Sequence, residues 1–216
     1  MNCVVTAGPT YEGLDQVRRL TNFSTGRLGS ELAAFLAARG DHVTLLLGEQ
    51  ATCREKHGAA QVEFFTTTAD LAERLQAHSR GPVDAVFHAA AVSDFTFGKI
   101  WARSSDGVLT ETRSGKISTR QGTLLAELVP TPKLIAQLRQ WYPKARLVGW
   151  KFEVDGDREA VLALANLQIA ECRTDACVAN GRAYGPGFGL VTAAGAHTHL
   201  EDSTALFAAL EAFVLA

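Results

Sequence analysis

The chain has 216 residues, 47% hydrophobic and 20% charged, with a formal net charge of −2. This is the composition of an ordinary globular protein with room for a full core, and it excludes a global basic attraction to nucleic acid or an anionic membrane. An anionic ligand would have to be met by locally placed Lys, Arg and backbone N–H groups.

In chain order, the start Met1-Asn2-Cys3 lacks the basic flank and long apolar run of a secretory leader. No stretch approaches the ~20 apolar residues of a membrane span, so a cytoplasmic location is expected. Val4–Ala7 reads as a buried strand that opens into the loop Gly8-Pro9-Thr10. Helical spacing runs from Gly26 to Ala38 and stops at Arg39-Gly40, a cation followed by a C-terminal glycine. Strands follow at His42–Leu47 and Val62–Phe65, and Thr68 is placed to cap a helix over Ala69–His78. Val83–Ala91 is a fourth strand, apolar and ending in small residues.

The alternation predicts an α/β fold, a parallel sheet with helices on both faces. Ligands of such sheets lie outside the carboxyl ends of the strands. That puts Gly8-Pro9-Thr10 and Ala89-Ala90-Ala91-Val92-Ser93-Asp94 on one rim.

The middle of the chain differs. Val108–Arg113 and Thr123–Leu128 alternate like half-exposed antiparallel strands around a polar, glycine-containing segment from Ser114 to Gly122. This is an excursion, about 105–130, suited to a flap. The α/β pattern then resumes with a helix after Thr131 that starts on Pro132, a strand at Arg146–Trp150, a helix at about Arg158–Ala170 and a strand at Asp175–Asn180. A glycine-rich loop over Gly181–Gly189, a hairpin and a terminal helix finish the chain. No linker divides it, so residues 1–216 form a single domain with a small lobe.

Three clusters carry candidate chemistry. The first is Gly8-Pro9-Thr10 with Asn22-Phe23-Ser24-Thr25-Gly26-Arg27, a hydroxyl-rich loop running into a helix. Its free N–H groups and those of its flanking arginines suit phosphate; an ordinary capped helix start is the plainer alternative. The second is Ala89–Asp94, where small side chains let a base or sugar approach and Asp94 can accept from ribose hydroxyls or hold a metal; tight packing with Asp94 as a helix or turn cap is the alternative. The third is Lys116 in the flap, able to close over an anion, or else a solvated surface lysine. Neither a Gly-x-Gly-x-x-Gly nor a Walker loop is present. The four cysteines have no zinc-knuckle spacing, and the six histidines no metal-ligand spacing.

At these clusters the chain resembles the phosphopantothenoylcysteine synthetases (phosphopantothenate–cysteine ligases). Val5–Glu12 is similar to the family's opening strand and loop, and Asp15–Gly29 to its signature segment. Ala89–Phe95, Gly115-Lys116-Ile117-Ser118, Thr131-Pro132-Lys133, Val148–Glu153 and Val178-Ala179-Asn180 follow in family order. The resemblance implies a Rossmann-like, mostly parallel sheet with helices on both faces and a small antiparallel flap and dimerisation lobe. It implies a two-step ligase of coenzyme A biosynthesis. A nucleoside triphosphate, CTP or ATP, with Mg²⁺ converts 4′-phosphopantothenate to an acyl-nucleotidylate, and cysteine then displaces the nucleotide. The implied catalytic residues are Asn22 and Lys116. Arg18, Ser24, Thr25, Gly26, Arg27 and Asn180 would bind substrate. Gly8, Pro9, Thr10, His88, Ala89, Ala90, Asp94, Thr131, Pro132 and Trp150 would bind nucleotide. No resident metal and no flavin are expected, and the partners are small molecules and a second copy of the chain, with neither nucleic acid nor membrane.

Departures from the family pattern are also legible. Ser118 and Thr119 stand where many bacterial relatives have lysines, Trp150 replaces a usual Phe, and Ala165–Cys172 has no lysine. The wording of the signature segments is nearer the ATP-using eukaryotic branch. A non-catalytic nucleotide-binding module of the same fold is the alternative from another class. A Rossmann-like NAD(P) oxidoreductase is a further one, opposed by the missing glycine fingerprint.

Overall fold

The computed structural model describes residues 1–53, 58, 61–118, 120 and 122–216. Thr119 and Gln121 of the expected flap lie outside the described residues.

Strand β1 (Asn2–Ala7) sits in the middle of an eight-stranded sheet. On one side it pairs in parallel with β4 (His42–Gly48), which pairs with β5 (Gln61–Phe65). On the other it pairs in parallel with β6 (Ala85–His88), followed by β10 (Arg146–Phe152) and β11 (Ala176–Asn180). An antiparallel hairpin, β12 (Phe188–Thr192) and β13 (His197–Leu200), ends the sheet. The order is therefore β13-β12-β11-β10-β6-β1-β4-β5. Strand order reverses between β1 and β6, and the ends of these strands open a crevice there.

The central strands are predominantly apolar because both faces are covered. Cys3, Val5 and Ala7 of β1, with Val43, Leu45 and Leu47 of β4, pack against α1 (Arg27–Ala38); further along this face lies α5 (Ser203–Leu215). Val4 and Leu46 point the other way, to a core shared with α2 (Thr68–His78) and α3 (Leu134–Trp141). On that second face α4 (Arg158–Cys172) lays Val161, Ala165 and Ile169 against Cys177 and Ala179. All four cysteines are free, and burial pushes the Cys3 and Cys177 thiols up to about 12, so both pack as inert side chains.

Helix ends show where local chemistry fixes the boundaries. Gly40 closes α1 at φ 92°, with its N–H on Ala37 O and that of Asp41 on Leu36 O. These are the paired bonds of a Schellman motif. At α2 the cap is Thr67, not Thr68: the Thr67 hydroxyl accepts from the Asp70 N–H, and Thr68 is the first helical residue. Nor is Pro132 the first residue of α3, which begins at Leu134 after Lys133. The chain is pinned before that point, with the Thr131 N–H on Asp94 O and the Thr131 hydroxyl on Ser93 O.

The excursion is larger than its sequence suggests. β7 (Phe95–Arg103) is its central strand, flanked by β8 (Leu109–Glu111) and β9 (Thr123–Pro130), both antiparallel to it. The two strands read from sequence therefore flank β7 and do not pair with each other, and the excursion starts at 95, not 105. A register shift between Phe97 and Ile100 interrupts the alternation of β7, which hid it. A short hairpin, β2 (Tyr11–Gly13) with β3 (Arg19–Thr21), stands beside the lobe.

Candidate functional site

A cleft of about 640 Å³ opens at the carboxyl ends of β1, β6, β10 and β11. Its first wall is the loop Asn22–Gly26 and the first turn of α1. Gly26 precedes the helix at φ 76°, and a Cβ there would lie 3.0 Å from Ala51 Cβ and 3.1 Å from Leu47 Cδ1. A bulkier capping residue therefore does not fit. Gly26 supplies no side-chain cap and the first turn holds no acid. The Arg27 N–H meets the Thr25 hydroxyl at 3.3 Å, and the rest of the first turn lines the open cleft, a setting that favours an anion.

The second wall is the segment after β6. Its course is fixed by β1: the Ala91 N–H bonds to Gly8 O, Thr10 N–H to Ala91 O, and the Ser93 N–H to the Thr10 hydroxyl at 2.8 Å. Pro9 and Thr10 are buried beneath the rim and do not line the cleft, whereas Gly8 does. Asn22 crosses between the walls. Its Nδ2 donates to Ala91 O and Val92 O, each at 3.2 Å. Turning the amide over would aim its oxygen at two carbonyl oxygens, so these partners fix its orientation.

His88 ends β6 at the floor. Its Nδ1 is 3.0 Å from the Thr6 hydroxyl, which also accepts the Ala90 N–H at 3.1 Å. Burial pushes the imidazole down to about 4, so the ring is neutral at pH 7.

The cleft holds three cations, Arg27, Lys133 and Lys151, against one acid, Asp94. It is thus locally positive in a chain whose net charge is −2. Arg27 pairs with Glu31 at 3.7 Å and Lys151 with Glu153 at 3.0 Å. At the far end lie Trp150, Phe152, Gln168 and Asn180. Trp150 Nε1 and Asn180 Oδ1 are buried without a hydrogen-bond partner. Groups of this kind are rare in folded proteins unless a water or ligand completes them.

Most of the residues singled out from sequence meet here: Gly8, Asn22, Ser24, Thr25, Gly26, Arg27, His88, Ala89, Ala90, Asp94, Thr131, Pro132, Trp150 and Asn180 all line the cleft. Lys133, Lys151, Phe23 and Phe152 line it as well and were not singled out. The first two were visible only as members of quoted motifs, because strand-end position cannot be read from a lysine alone.

The sequence profile of the DNA/pantothenate metabolism flavoprotein C-terminal domain matches residues 1–205. The chain belongs to this family. A coenzyme A biosynthesis bifunctional protein CoaBC from Thermococcus kodakarensis is 33% identical over 178 residues, which are 82% of this chain and 40% of that protein. The chain therefore spans less than half the length of that relative. The DNA/pantothenate metabolism flavoprotein of Streptococcus pneumoniae superposes with a TM-score of 0.81 at 25% identity, covering 99% of both chains. A Cab2 H337A variant, solved in complex with phosphopantothenate-cysteine, has the same fold at a TM-score of 0.74 and 19% identity, covering 99% of this chain and 85% of that one. The likeness to phosphopantothenoylcysteine synthetases and the mixed α/β architecture are both as the sequence motifs imply.

Two further expected site residues, Arg18 and Lys116, do not line the cleft either and lie beside the lobe. Arg18 Nη2 donates to Asp15 Oδ2 and to Ile117 O, each at 2.6 Å. Lys116 is exposed on the segment so held. The Asp15 side chain is fully buried. Burial alone would raise its carboxyl, but bonds from the Val17 N–H, the Arg18 guanidinium and the Ile117 and Arg18 N–H groups outweigh it, and hold it well below the usual carboxylate range.

Among the described residues no group of three or more His, Cys, Asp or Glu could cage a metal. Asp94, the single carboxylate of the cleft lining, fits the sparse way Mg²⁺ is held beside a triphosphate, by one or two carboxylates plus phosphate oxygens.

Proposed function

We propose that the chain is a phosphopantothenate–cysteine ligase of coenzyme A biosynthesis, working through an acyl-nucleotidylate. The observation that carries the reading is the positive switch-point cleft, with the uncapped start of α1 on one wall and Asp94 on the other.

In the first step a carboxylate oxygen of 4′-phosphopantothenate attacks the α-phosphorus of CTP or ATP, and the bond to pyrophosphate breaks. In the second the cysteine amine attacks the acyl carbon, the carbon–oxygen bond to the nucleotide breaks, and the amine loses a proton. The α1 terminus and Arg27 receive anionic groups on one wall, and Lys133 and Lys151 do so on the other. Asp94 accepts from the ribose, with the small residues Ala89 and Ala90 letting the sugar and base approach. Trp150 offers its face to the base. Asn22 orients the acyl group, and Lys116 stabilises charge that develops on the phosphates. Mg²⁺, when bound with the triphosphate, screens its charge. No flavin chemistry is assigned to this chain.

We assign the working form as a homodimer. Leu125 and Val129 of β9 and Leu109 of β8 are exposed on one face of the three-stranded sheet, an apolar surface that a second copy would cover. Arg18 and Lys116 stand outside their own cleft, which agrees with a site built across two copies. A cytoplasmic location fits this pathway; among the described residues no helix is long and apolar enough to cross a membrane.

The test is pyrophosphate release and the mass of phosphopantothenoylcysteine, with phosphopantothenate, cysteine and either CTP or ATP. Equal yields of pyrophosphate and amide product are expected. Nucleotide binding without turnover would replace this reading by that of a binding module. Because α4 carries no lysine and Trp150 has a wide face, kcat/KM for the two nucleotides should agree within about a hundredfold, roughly 2.7 kcal/mol.

A further inference from the structure

Residues 115–117 are fastened to the loop at 15–18, although about a hundred positions separate them. The Gln16 N–H donates to Gly115 O at 3.0 Å, and the Ile117 N–H to Asp15 Oδ2 at 3.1 Å. Arg18 Nη2 returns to Ile117 O at 2.6 Å. The Ile117 side chain is buried, at 3% exposure. Asp15 is the hub. Its Oδ1 accepts the N–H groups of Val17 and Arg18 at 2.9 and 2.8 Å, which shapes its own loop. Its Oδ2 takes Arg18 Nε and Nη2 together with the Ile117 N–H. One buried carboxylate thus orders the loop, aims the arginine and holds the lid backbone.

Lys116 lies between the two fastened residues. Its N–H approaches the Ser114 hydroxyl at 3.3 Å, and that hydroxyl donates to Lys116 O at 2.9 Å. The backbone on either side is fixed while the side chain stays exposed. A lysine on such a mount loses little backbone entropy when it meets an anion.

We propose that Asp15 is a positioning residue of the ligase, a latch that holds the lid segment so that Lys116 is presented at a set place. Asp15 does not line the cleft; it acts through Lys116, and this rests on the functional reading of that lysine given above.

Two measurements on the full chain test it. The first needs no turnover. Trypsin cuts after Lys116 and after Arg113, and intact-mass spectra follow each nick separately. Asp15→Asn should speed cleavage of the 116–117 bond at least tenfold over wild type, while cleavage after the exposed Arg113 stays within about twofold. The second is a double-mutant cycle in kcat. Asp15→Asn should cost at least tenfold with Lys116 present, and under threefold in a Lys116→Gln background. Unchanged nicking at 116–117 overturns the latch, and so does an equal loss in both backgrounds. Full turnover by Lys116→Gln alone would sink the role of the lysine instead, and nicking would still decide the latch. Should Asp15→Asn fail to fold by circular dichroism, Asp15→Ser, which keeps one acceptor, takes its place in both assays.

Discussion

Lowering the pH should weaken the protein through His88. The unfolded chain has an imidazole pKa near 6.5, whereas burial beneath the cleft holds the native one at about 4. The native state therefore disfavours the proton. Stability is complete above pH 6.5, falls as the unfolded chain protonates between 6.5 and 4, and levels off below that. Fully developed, the gap corresponds to about 3 kcal/mol, and at pH 5 to about 2 kcal/mol. Urea melts at pH 7.5 and pH 5.0 on wild type and His88→Asn isolate it. Asparagine keeps an acceptor where Nδ1 meets Thr6 but does not titrate, so other groups cancel in the difference. Wild type should lose about 2 kcal/mol more than the variant between the two pH values. Parallel losses within 0.5 kcal/mol, roughly the error of such extrapolations, would refute a neutral, sealed His88.

Asn22→Asp should lower kcat by about a hundredfold or more, since it sets a carboxylate against Ala91 O and Val92 O and brings negative charge to an anion site; steady-state kinetics with unchanged kcat would remove Asn22 from the site. Lys116→Gln should reduce turnover at least tenfold while the thermal midpoint stays within about 2 °C, because the side chain is exposed; a large fall in midpoint with normal turnover per folded molecule would make it structural. Gly29→Ala should destabilise by about 1–3 kcal/mol in a urea melt, because its Cβ would stand 2.7 Å from Ala7 Cβ and 3.1 Å from Thr6 O, forcing α1 off β1.

The central sheet was legible because strands covered on both faces read as near-continuous apolar runs. Val4–Ala7, His42–Leu47 and Val148–Trp150 carry that mark without any partner being known. β7 was not, because its alternation breaks at Gly98-Lys99, and β2 and β3 are three residues each. In the run Thr66-Thr67-Thr68 each residue has the same capping chemistry, so only the bond from the Asp70 N–H to the Thr67 hydroxyl decides. For the site, the residues flanking strand ends were readable by the switch-point rule. The latch was not: Asp15 and Ile117 are 102 positions apart, and nothing in either residue names the other.

The placement of charge then gives the lid more to do. α4 (Arg158–Cys172) has no lysine, and its one arginine, Arg158, donates Nε to Tyr184 O at 2.9 Å with its guanidinium over the Tyr184 ring. That helix sends no cation into the cleft. The three cations that do reach it come from the start of α1, the approach to α3 and the end of β10. Of these, Arg27 already faces Glu31 at 3.7 Å and Lys151 faces Glu153 at 3.0 Å. A triphosphate carries more charge than Lys133 and these two shared cations can match, so on the proposed reading the remainder falls to the α1 terminus and to a lysine brought from outside. Lys116 is exposed and mounted on backbone that Asp15 holds. On that reading, the more phosphate recognition rests on the lid, the more the rate depends on how firmly the lid is held.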